Sequence, residues 1–287
     1  MPDLIAVSLR EDLIRAFDDP GYTPPMLPAV ALEVMALTTK DDVEVGQIVT
    51  LLERDQMLAL AVLRLAGSSF YAGRTPIRSL REAVVRLGIS VVRDAVFEVS
   101  LRNGVFRSDE YADTVETIAR HSTATAYITR LVCRRAGIDS DLAFICGLLH
   151  DVGFAGLLMA VKHVEGEKAP PLATLWPHVD ALHERASLLL VQRWRLPAQV
   201  VEVVGHHHHI HTGDFARVAA AVRIADHLTE SFGAAVRGPW LDGQALPGDV
   251  VGVFDLETAA AELGLDDEEL ARIRTDAERT LAEIALY

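Results

Sequence analysis

Residues 142–159 have the sequence LAFICGLLHDVGFAGLLM, an apolar run with a histidine and an aspartate at its centre. Burial of an imidazole beside a carboxylate is costly unless the two groups are paired or bind a metal ion. We therefore expect His150 and Asp151 to form the centre of a polar site inside a helical core. A hydrogen-bonded pair that joins two helices is the simpler alternative.

The same run is about as long as a membrane-spanning helix. A histidine and an aspartate at its middle would be expensive in lipid, whereas Gly147, Gly153 and Gly156 permit close packing against other helices. The run therefore predicts a buried helix of a bundle, and we expect no membrane association.

The composition favours a helical domain and argues against a general nucleic-acid binder. Half of the 287 residues are hydrophobic, only 6% are aromatic, and the formal net charge is −14. A protein that binds phosphate backbones needs a net basic face. The two cysteines, Cys133 and Cys146, are too few for a disulfide framework, and the first residues show no signal peptide. We therefore expect a cytoplasmic protein with buried thiols.

Helical periodicity extends over nearly the whole chain, and strand-like alternation is nearly absent, so the fold class predicted is all-α. The segment RNGVFRSDE at 102–110 is the clearest candidate for a boundary between two lobes. We expect a smaller N-terminal helical lobe over 1–104, a helical lobe with the polar site over 105–232, and a C-terminal loop and helices over 233–287. The predicted helices cover about 8–18, 29–38, 44–54, 56–66, 80–87, 90–101, 111–136, 141–163, 180–194, a helix with Pro197 in its first turn that ends in the run His206–His209, 215–232 and two stretches within 255–286.

Several further histidines and one aspartate fall on the predicted helices at intervals that each allow one helix and one connection. They are His121, His183, two members of the run His206–His209, and Asp226. Imidazole and carboxylate groups that converge from facing helices form divalent metal sites in helical bundles. Because neighbouring helical residues diverge by about 100°, Asp151 is the natural group to bridge two ions. We expect one or two ions of iron, manganese, zinc or nickel.

Several motifs resemble those of the HDOD family, the HD-related output domain, over about residues 20–232. They are PAV at 28–30, ERDQMLAL at 53–60, LRLAGSS at 63–69, IRSLREAV at 77–84 before Leu87-Gly88, HDVG at 150–153 and WRLP at 194–197. The resemblance implies an all-α HD-superfamily-like bundle in bacterial signal transduction. Most members of the family are thought to be non-catalytic outputs that have lost their metal ligands.

This chain departs from that expectation because it is similar to the catalytic HD-GYP phosphodiesterases at the ligand positions. The resemblance assigns the metal ligands to His121, His150, Asp151, His183, His207, His208 and Asp226. It leaves His206, His209 and His211 at the periphery. The lysine that follows the HD motif in the catalytic families is Phe154 here, and the Gly-Tyr-Pro motif is absent. Metal binding is therefore better supported than catalysis.

Each site residue also has a simpler interpretation. His121 is compatible with an ordinary helix histidine, His183 with a surface residue beside Glu184, and Asp226 with a lone acid on an apolar helix. A metal-free scaffold would use the same cluster as a hydrogen-bond network. Five arginines in the first lobe, Arg64, Arg74, Arg78, Arg81 and Arg86, suit a solvated helix face, with contact to a phosphate or nucleotide as the alternative.

The function that we expect is bacterial signal transduction of the HDOD type, through a protein partner and with a mono- or dinuclear metal site. A nucleotide ligand and a homodimer are further candidates for partners. The alternative is a metal-dependent phosphohydrolase that acts on a cyclic nucleotide or cyclic dinucleotide. In that case the metal ions would activate a water molecule and stabilise charge on the phosphate oxygens.

Overall fold

The fold is described here from a computed structural model. It describes residues 11, 13–15, 24–40, 42–68, 70–71, 73, 75–161, 169–233, 236 and 255–284. The predicted helix over 8–18 and the predicted loop over 233–249 lie largely outside these residues.

All regular secondary structure of the described residues is helical, which confirms the all-α prediction. The helices are α1 (Ala29–Thr38), α2 (Val45–Leu52), α3 (Gln56–Gly67), α4 (Leu80–Leu87), α5 (Ile89–Gly104), α6 (Ala112–Arg135), α7 (Ala143–Leu149), α8 (Val152–Ala160), α9 (Leu172–Arg193), α10 (Ala198–Gly205), α11 (Ala216–Ser231), α12 (Leu256–Leu263) and α13 (Asp267–Ile284).

The chain forms two compact units. The small unit comprises Met26–Val105 with Ala282–Tyr287, and the large unit comprises Met1–Pro25 with Phe106–Leu281. The division into lobes over 1–104, 105–232 and 233–287 stays a prediction.

In the small unit, helices α1 to α5 pack around a core that includes Val34, Ile48 and Phe97. Local sequence signals set the helix ends. The Asp55 carboxylate accepts the N–H groups of residues 57 and 58 at the start of α3. The Ser79 hydroxyl caps α4 in the same way, as N-cap side chains do.

In the large unit, α6 packs against α7, α8 and α11, and α9 packs against α8 and α10. The apolar segment Ala143–Ala160 is long enough to span a membrane, but 94% of it is buried. This is typical of the core helix of a soluble protein, and it confirms the prediction of a buried bundle segment. A Cβ atom on Gly147 would lie 2.9 Å from Cα of Ala126, so the glycine lets α7 approach α6 closely.

Two helix boundaries differ from the prediction. The single helix predicted over 141–163 is interrupted at His150-Asp151, between α7 and α8. Helix α9 starts at Leu172 rather than near residue 180, and it contains Pro177. Pro177 is the sixth residue of the helix, where its missing N–H removes one backbone hydrogen bond. The buried side chains of Leu175 and Trp176 anchor this turn in the core.

Candidate metal centre

Five parts of the large unit bring the seven predicted site residues together. His121 comes from the middle of α6, His150 and Asp151 from the break between α7 and α8, His183 from α9, His207 and His208 from the turn after α10, and Asp226 from α11. All but the half-buried His208 are buried. The geometry thus assembles the complete predicted set, while its occupation by metal stays a prediction.

The break between α7 and α8 allows the side chains of His150 and Asp151 to reach the same cluster. Asp151 has φ −104° and ψ 14°, a conformation outside the regular helix that is frequent at functional sites. In an unbroken helix the two side chains would diverge by about 100°. Here Nε2 of His150 lies 3.3 Å from Oδ2 of Asp151.

Ser187 on α9 holds this break in place. Its hydroxyl accepts a hydrogen bond from the N–H of Gly153 at 2.8 Å and donates one to the carbonyl of His150 at 2.9 Å. A Cβ atom on Gly153 would lie only 2.0 Å from the carbonyl oxygen of His183. The glycine therefore allows α8 and α9 to touch, and this contact brings His183 to the His-Asp pair.

The carboxylate of Asp151 divides the centre into two halves. Its Oδ2 atom faces the first half, at 3.5 Å from Nε2 of His121 and 3.3 Å from Nε2 of His150. Its Oδ1 atom faces the second half, at 3.5 Å from Nε2 of His183 and 3.3 Å from Nε2 of His207. Asp151 is therefore the one residue of the seven placed to bridge two ions.

Asp226 completes the first half. Its Oδ1 atom lies 3.3 Å from Nε2 of His121 and 3.7 Å from Nε2 of His150. The guanidinium of Arg223, one helical turn earlier, donates to Oδ2 at 2.8 Å. One oxygen of Asp226 is thus directed to the histidines, and the other is held by the arginine.

The second half consists of three imidazoles around Oδ1 of Asp151. Nε2 of His183 lies 3.2 Å from Nε2 of His207 and 2.9 Å from Nε2 of His208. These atoms and an oxygen of Asp151 all lie within 4.8 Å of one another. A cation of ordinary coordination radius fits among such groups after small side-chain shifts.

The other ring nitrogens show how the histidines are protonated. Nδ1 of His150 donates to the carbonyl of Gly147 at 2.9 Å, and Nδ1 of His207 donates to the carbonyl of Val204 at 2.9 Å. Nδ1 of His183 makes the same kind of bond to a backbone carbonyl of its own helix. A carbonyl oxygen only accepts, so each Nδ1 carries hydrogen and each neutral ring turns the Nε2 lone pair to the centre. Metal-binding histidines are held in this way.

Lone pairs that face each other at these distances repel unless a cation lies near them. The neutral rings of His183 and His207 cannot hydrogen-bond to each other through Nε2, because both Nε2 atoms are acceptors. Two buried carboxylates lie in the same cluster. The donor set therefore fits a divalent cation.

The pKa directions agree with a cluster that attracts positive charge. Burial disfavours the charged form of His150, but the carboxylates of Asp151 and Asp226 outweigh burial and hold the pKa of His150 well above its ordinary value. Burial acts to raise the pKa of Asp151, but His150, His207 and His183 lower it well below its ordinary value. Both carboxylates are therefore ionised at neutral pH.

The ring of Phe154 packs against the second half of the centre. Its ring stacks on the imidazole of His183, with centroids 4.2 Å apart, and on the ring of Trp176 on the other face, with centroids 5.1 Å apart. Phe154 and Trp176 are both buried. The position that the resemblance assigns to a lysine in catalytic relatives therefore supplies an apolar wall.

The three histidines predicted to be peripheral are His206, His209 and His211. His206 and His209 are exposed. His211 is buried, and its Nε2 donates to the carbonyl of His206 at 2.8 Å. It lies outside the two groups of residues that converge on the centre.

Sequence reasoning missed the residues that support the centre. Glu184 accepts the backbone N–H of His208 at 3.2 Å with one oxygen and Nε2 of His209 at 3.1 Å with the other. Ser187 and Arg223 act in the same supporting way. Glu184 directly follows a ligand-type histidine, which is a usable signal, whereas nothing local marks Ser187.

Comparison with known proteins now identifies the family. The profile of the HDOD domain matches residues 25–210, which is most of the chain. The chain belongs to the HDOD family. The chain matches only part of its longer curated relatives, with 38% of one and 19% of another covered.

Solved structures share the fold of this HDOD protein. An HDOD domain protein of unknown function from Geobacter sulfurreducens is 25% identical, with a TM-score of 0.63 and coverage of 95% of this chain and 98% of that one. A proposed metal-dependent phosphohydrolase from Shewanella amazonensis SB2B is 19% identical, with a TM-score of 0.66 and coverage of 95% and 99%. A proposed signal transduction protein from Marinobacter aquaeolei VT8 is 21% identical, with a TM-score of 0.66 and coverage of 98% and 65%.

Proposed function

We propose that this HDOD protein is a cytoplasmic bacterial signalling protein whose large unit binds one or two divalent metal ions. The observation that carries the proposal is the convergence of the Nε2 lone pairs of His183 and His207 on the carboxylate of Asp151. An arrangement of this kind is unstable without a cation. Nitrogen and carboxylate donors suit iron, manganese, zinc and nickel.

We propose that the output is contact with a protein partner rather than catalysis. Phe154 supports this proposal, because an apolar ring replaces a cationic group that would hold a phosphate. Exposed Met57 and Leu60 lie one turn apart on α3, at 60% and 42% exposure, and give the small unit an apolar surface. The solved relative with a proposed role in signal transduction points in the same direction. Cys133 and Cys146 are buried and do not form a disulfide bond, which suits a reducing compartment.

Metal content per chain tests the metal site. Untagged protein purified without chelators is measured by mass spectrometry, and each chain is expected to carry about one or two equivalents of a transition metal. His207→Ala removes a donor and should lower the metal content, whereas the matched variant His206→Ala, which changes an exposed neighbour, should retain it. Equal metal content in the two variants would refute the site. Less than about a tenth of an equivalent after anaerobic reconstitution would favour a metal-free scaffold.

A metal-dependent phosphohydrolase is the second candidate, and the observation that favours it is the bridging position of Asp151. Two ions held by one carboxylate can stabilise the attacking and leaving oxygens of a phosphodiester. Metal-loaded wild type and Asp151→Asn are compared on bis(p-nitrophenyl) phosphate and on cyclic dinucleotides. Turnover by the wild type that the variant lacks would establish the enzyme. No turnover with any of several metals would leave the signalling role as the function of the site.

A further inference from the structure

The small unit carries a local concentration of positive charge in an acidic protein. Residues 61–90 contain five arginines and a single acidic residue, Glu82, although the whole chain has a formal net charge of −14. Three of these arginines, Arg78, Arg81 and Arg86, lie at the start of α4 or on the helix itself. This charge does not follow from the overall composition and calls for a local explanation.

Arg86 is fixed by the backbone around it. Its guanidinium donates to the carbonyl of Ala66 at 3.3 Å and to the carbonyl of Thr75. A Cβ atom on Gly73 would lie 3.1 Å from Cζ of Arg86, so the loop passes directly beside the guanidinium plane. Neither bond neutralises the charge, because both acceptors are uncharged carbonyl groups.

Arg81 lies five residues earlier on the same helix and makes no hydrogen bond or ion pair with the described residues. Glu82 is the acidic residue next to it in the sequence. One oxygen of Glu82 instead accepts the backbone N–H of Arg78 at 2.8 Å, and no ion pair between Glu82 and an arginine occurs among the described residues. One preorganised guanidinium and one unpartnered guanidinium thus stand on the same helix.

Both guanidinium groups line a cavity of about 410 Å³ together with Thr75, Glu82 and Val85. This volume lies within the range of small-molecule sites and exceeds what a lone phosphate ion needs. Val85 is 63% exposed and offers an apolar surface beside the charges.

We propose that this cavity of the small unit binds the phosphate group of a small phosphate ester of nucleotide size. Arg81 and Arg86 hold the phosphate through charge-assisted hydrogen bonds, and Val85 contacts the apolar part of the ligand. None of these residues belongs to the metal centre, so the proposal is independent of metal binding.

Isothermal titration of the full-length protein at low ionic strength tests the proposal, with AMP, pyrophosphate and adenosine as probes. Arg81→Ala should weaken AMP binding by about tenfold or more. The control Arg78→Ala removes the same charge from the same segment outside the cavity, and it should weaken binding by less than about threefold. Both side chains are exposed, so both variants should unfold at the temperature of the wild type.

The probes separate the sources of the phosphate. Tighter binding of AMP than of pyrophosphate identifies an ester ligand, and equal binding identifies the phosphate group alone as the ligand; either result supports phosphate recognition. Three results would overturn the proposal. They are adenosine binding as tight as that of AMP, equal weakening by Arg81→Ala and Arg78→Ala, and no binding of AMP at millimolar concentration.

Discussion

The ring of Phe154 lies parallel to the imidazole of His183, with an interplanar angle of 6° and centroids 4.2 Å apart. Stacking on one face and the Nδ1 bond to a backbone carbonyl fix both the tilt and the rotation of this imidazole. Phe154 therefore helps to set the direction in which the Nε2 atom of His183 faces the candidate metal centre.

We expect Phe154→Ala to lower the free energy of unfolding by about 3–5 kcal/mol, since it empties a buried site between two rings. Loss of the stack should also weaken metal binding by about tenfold, as loss of other supporting contacts does. Urea unfolding and a metal titration measure the two effects. Phe70→Ala, at a ring that is 50% exposed, should cost less than about 1 kcal/mol. Similar losses of stability in Phe154→Ala and Phe70→Ala would contradict the proposed packing role of Phe154.

Gly153→Ala should separate α8 from α9. The added methyl group would lie 2.0 Å from the carbonyl oxygen of His183 and 2.5 Å from the backbone nitrogen of Ser187, and neither backbone atom can move without its helix. We expect a loss of about 1–3 kcal/mol or more in the free energy of unfolding, together with a lower metal content.

Gly67→Ala is the matched control, because Gly67 ends α3 and a Cβ atom there would meet no atom within 4 Å. Alanine is the better helix former, so this variant should be as stable as the wild type or up to about 1 kcal/mol more stable. Equal stability of the Gly153 and Gly67 variants would show that α8 tolerates a shift.

Acid should destabilise the metal-free protein through His208. Burial, followed by repulsion from His207 and His183, lowers the pKa of His208 in the folded state. As the pH falls below about 6.5 the unfolded chain takes up a proton at this residue and the folded chain does not. Unfolding is therefore favoured by acid. The pKa of His150 is raised in the folded state. Its contribution to stability is therefore fully present below about pH 6.5 and is lost as the pH rises above about 6.5.

The measurement is the free energy of unfolding of chelator-treated protein between about pH 4.5 and 5.5. We expect His208→Gln to reduce the slope of stability against pH by about 1.4 kcal/mol per pH unit, which corresponds to one proton. His206→Gln, at an exposed imidazole, should leave the slope unchanged. An unaltered slope for His208→Gln would mean that the residue is protonated in the folded protein.

The sequence was sufficient for the helices and for the identity of the ligand-type residues. Periodicity and caps marked α4 and α6 to within about two residues, because these signals are local. Residue type and position singled out His121, the His-Asp pair, His183, the histidine run and Asp226, and the resemblance to the HD-GYP phosphodiesterases selected His207 and His208 within that run. Long apolar helices leave few other places for buried imidazoles and carboxylates.

The details that complete the centre depend on contacts between distant parts of the chain. The run 142–159 has no glycine or proline at the break, and Ser187, 36 positions after Asp151, holds that break. Pro177 predicted a connector, whereas burial of Trp176 keeps it helical. A local pattern carries no information about a partner that comes from another helix.

His121 and Asp226 stand 105 positions apart in the chain, yet their side-chain atoms lie 3.3 Å from each other. A cation bound by both residues would cross-link the two ends of a long segment of chain. The unfolded chain has no preformed binding site for such a cation. Metal occupancy would then report whether the two helices are correctly placed, because a displacement of either helix by about the width of an atom would break the coordination. A partner that displaced α6 or α11 would therefore be expected to lower metal occupancy.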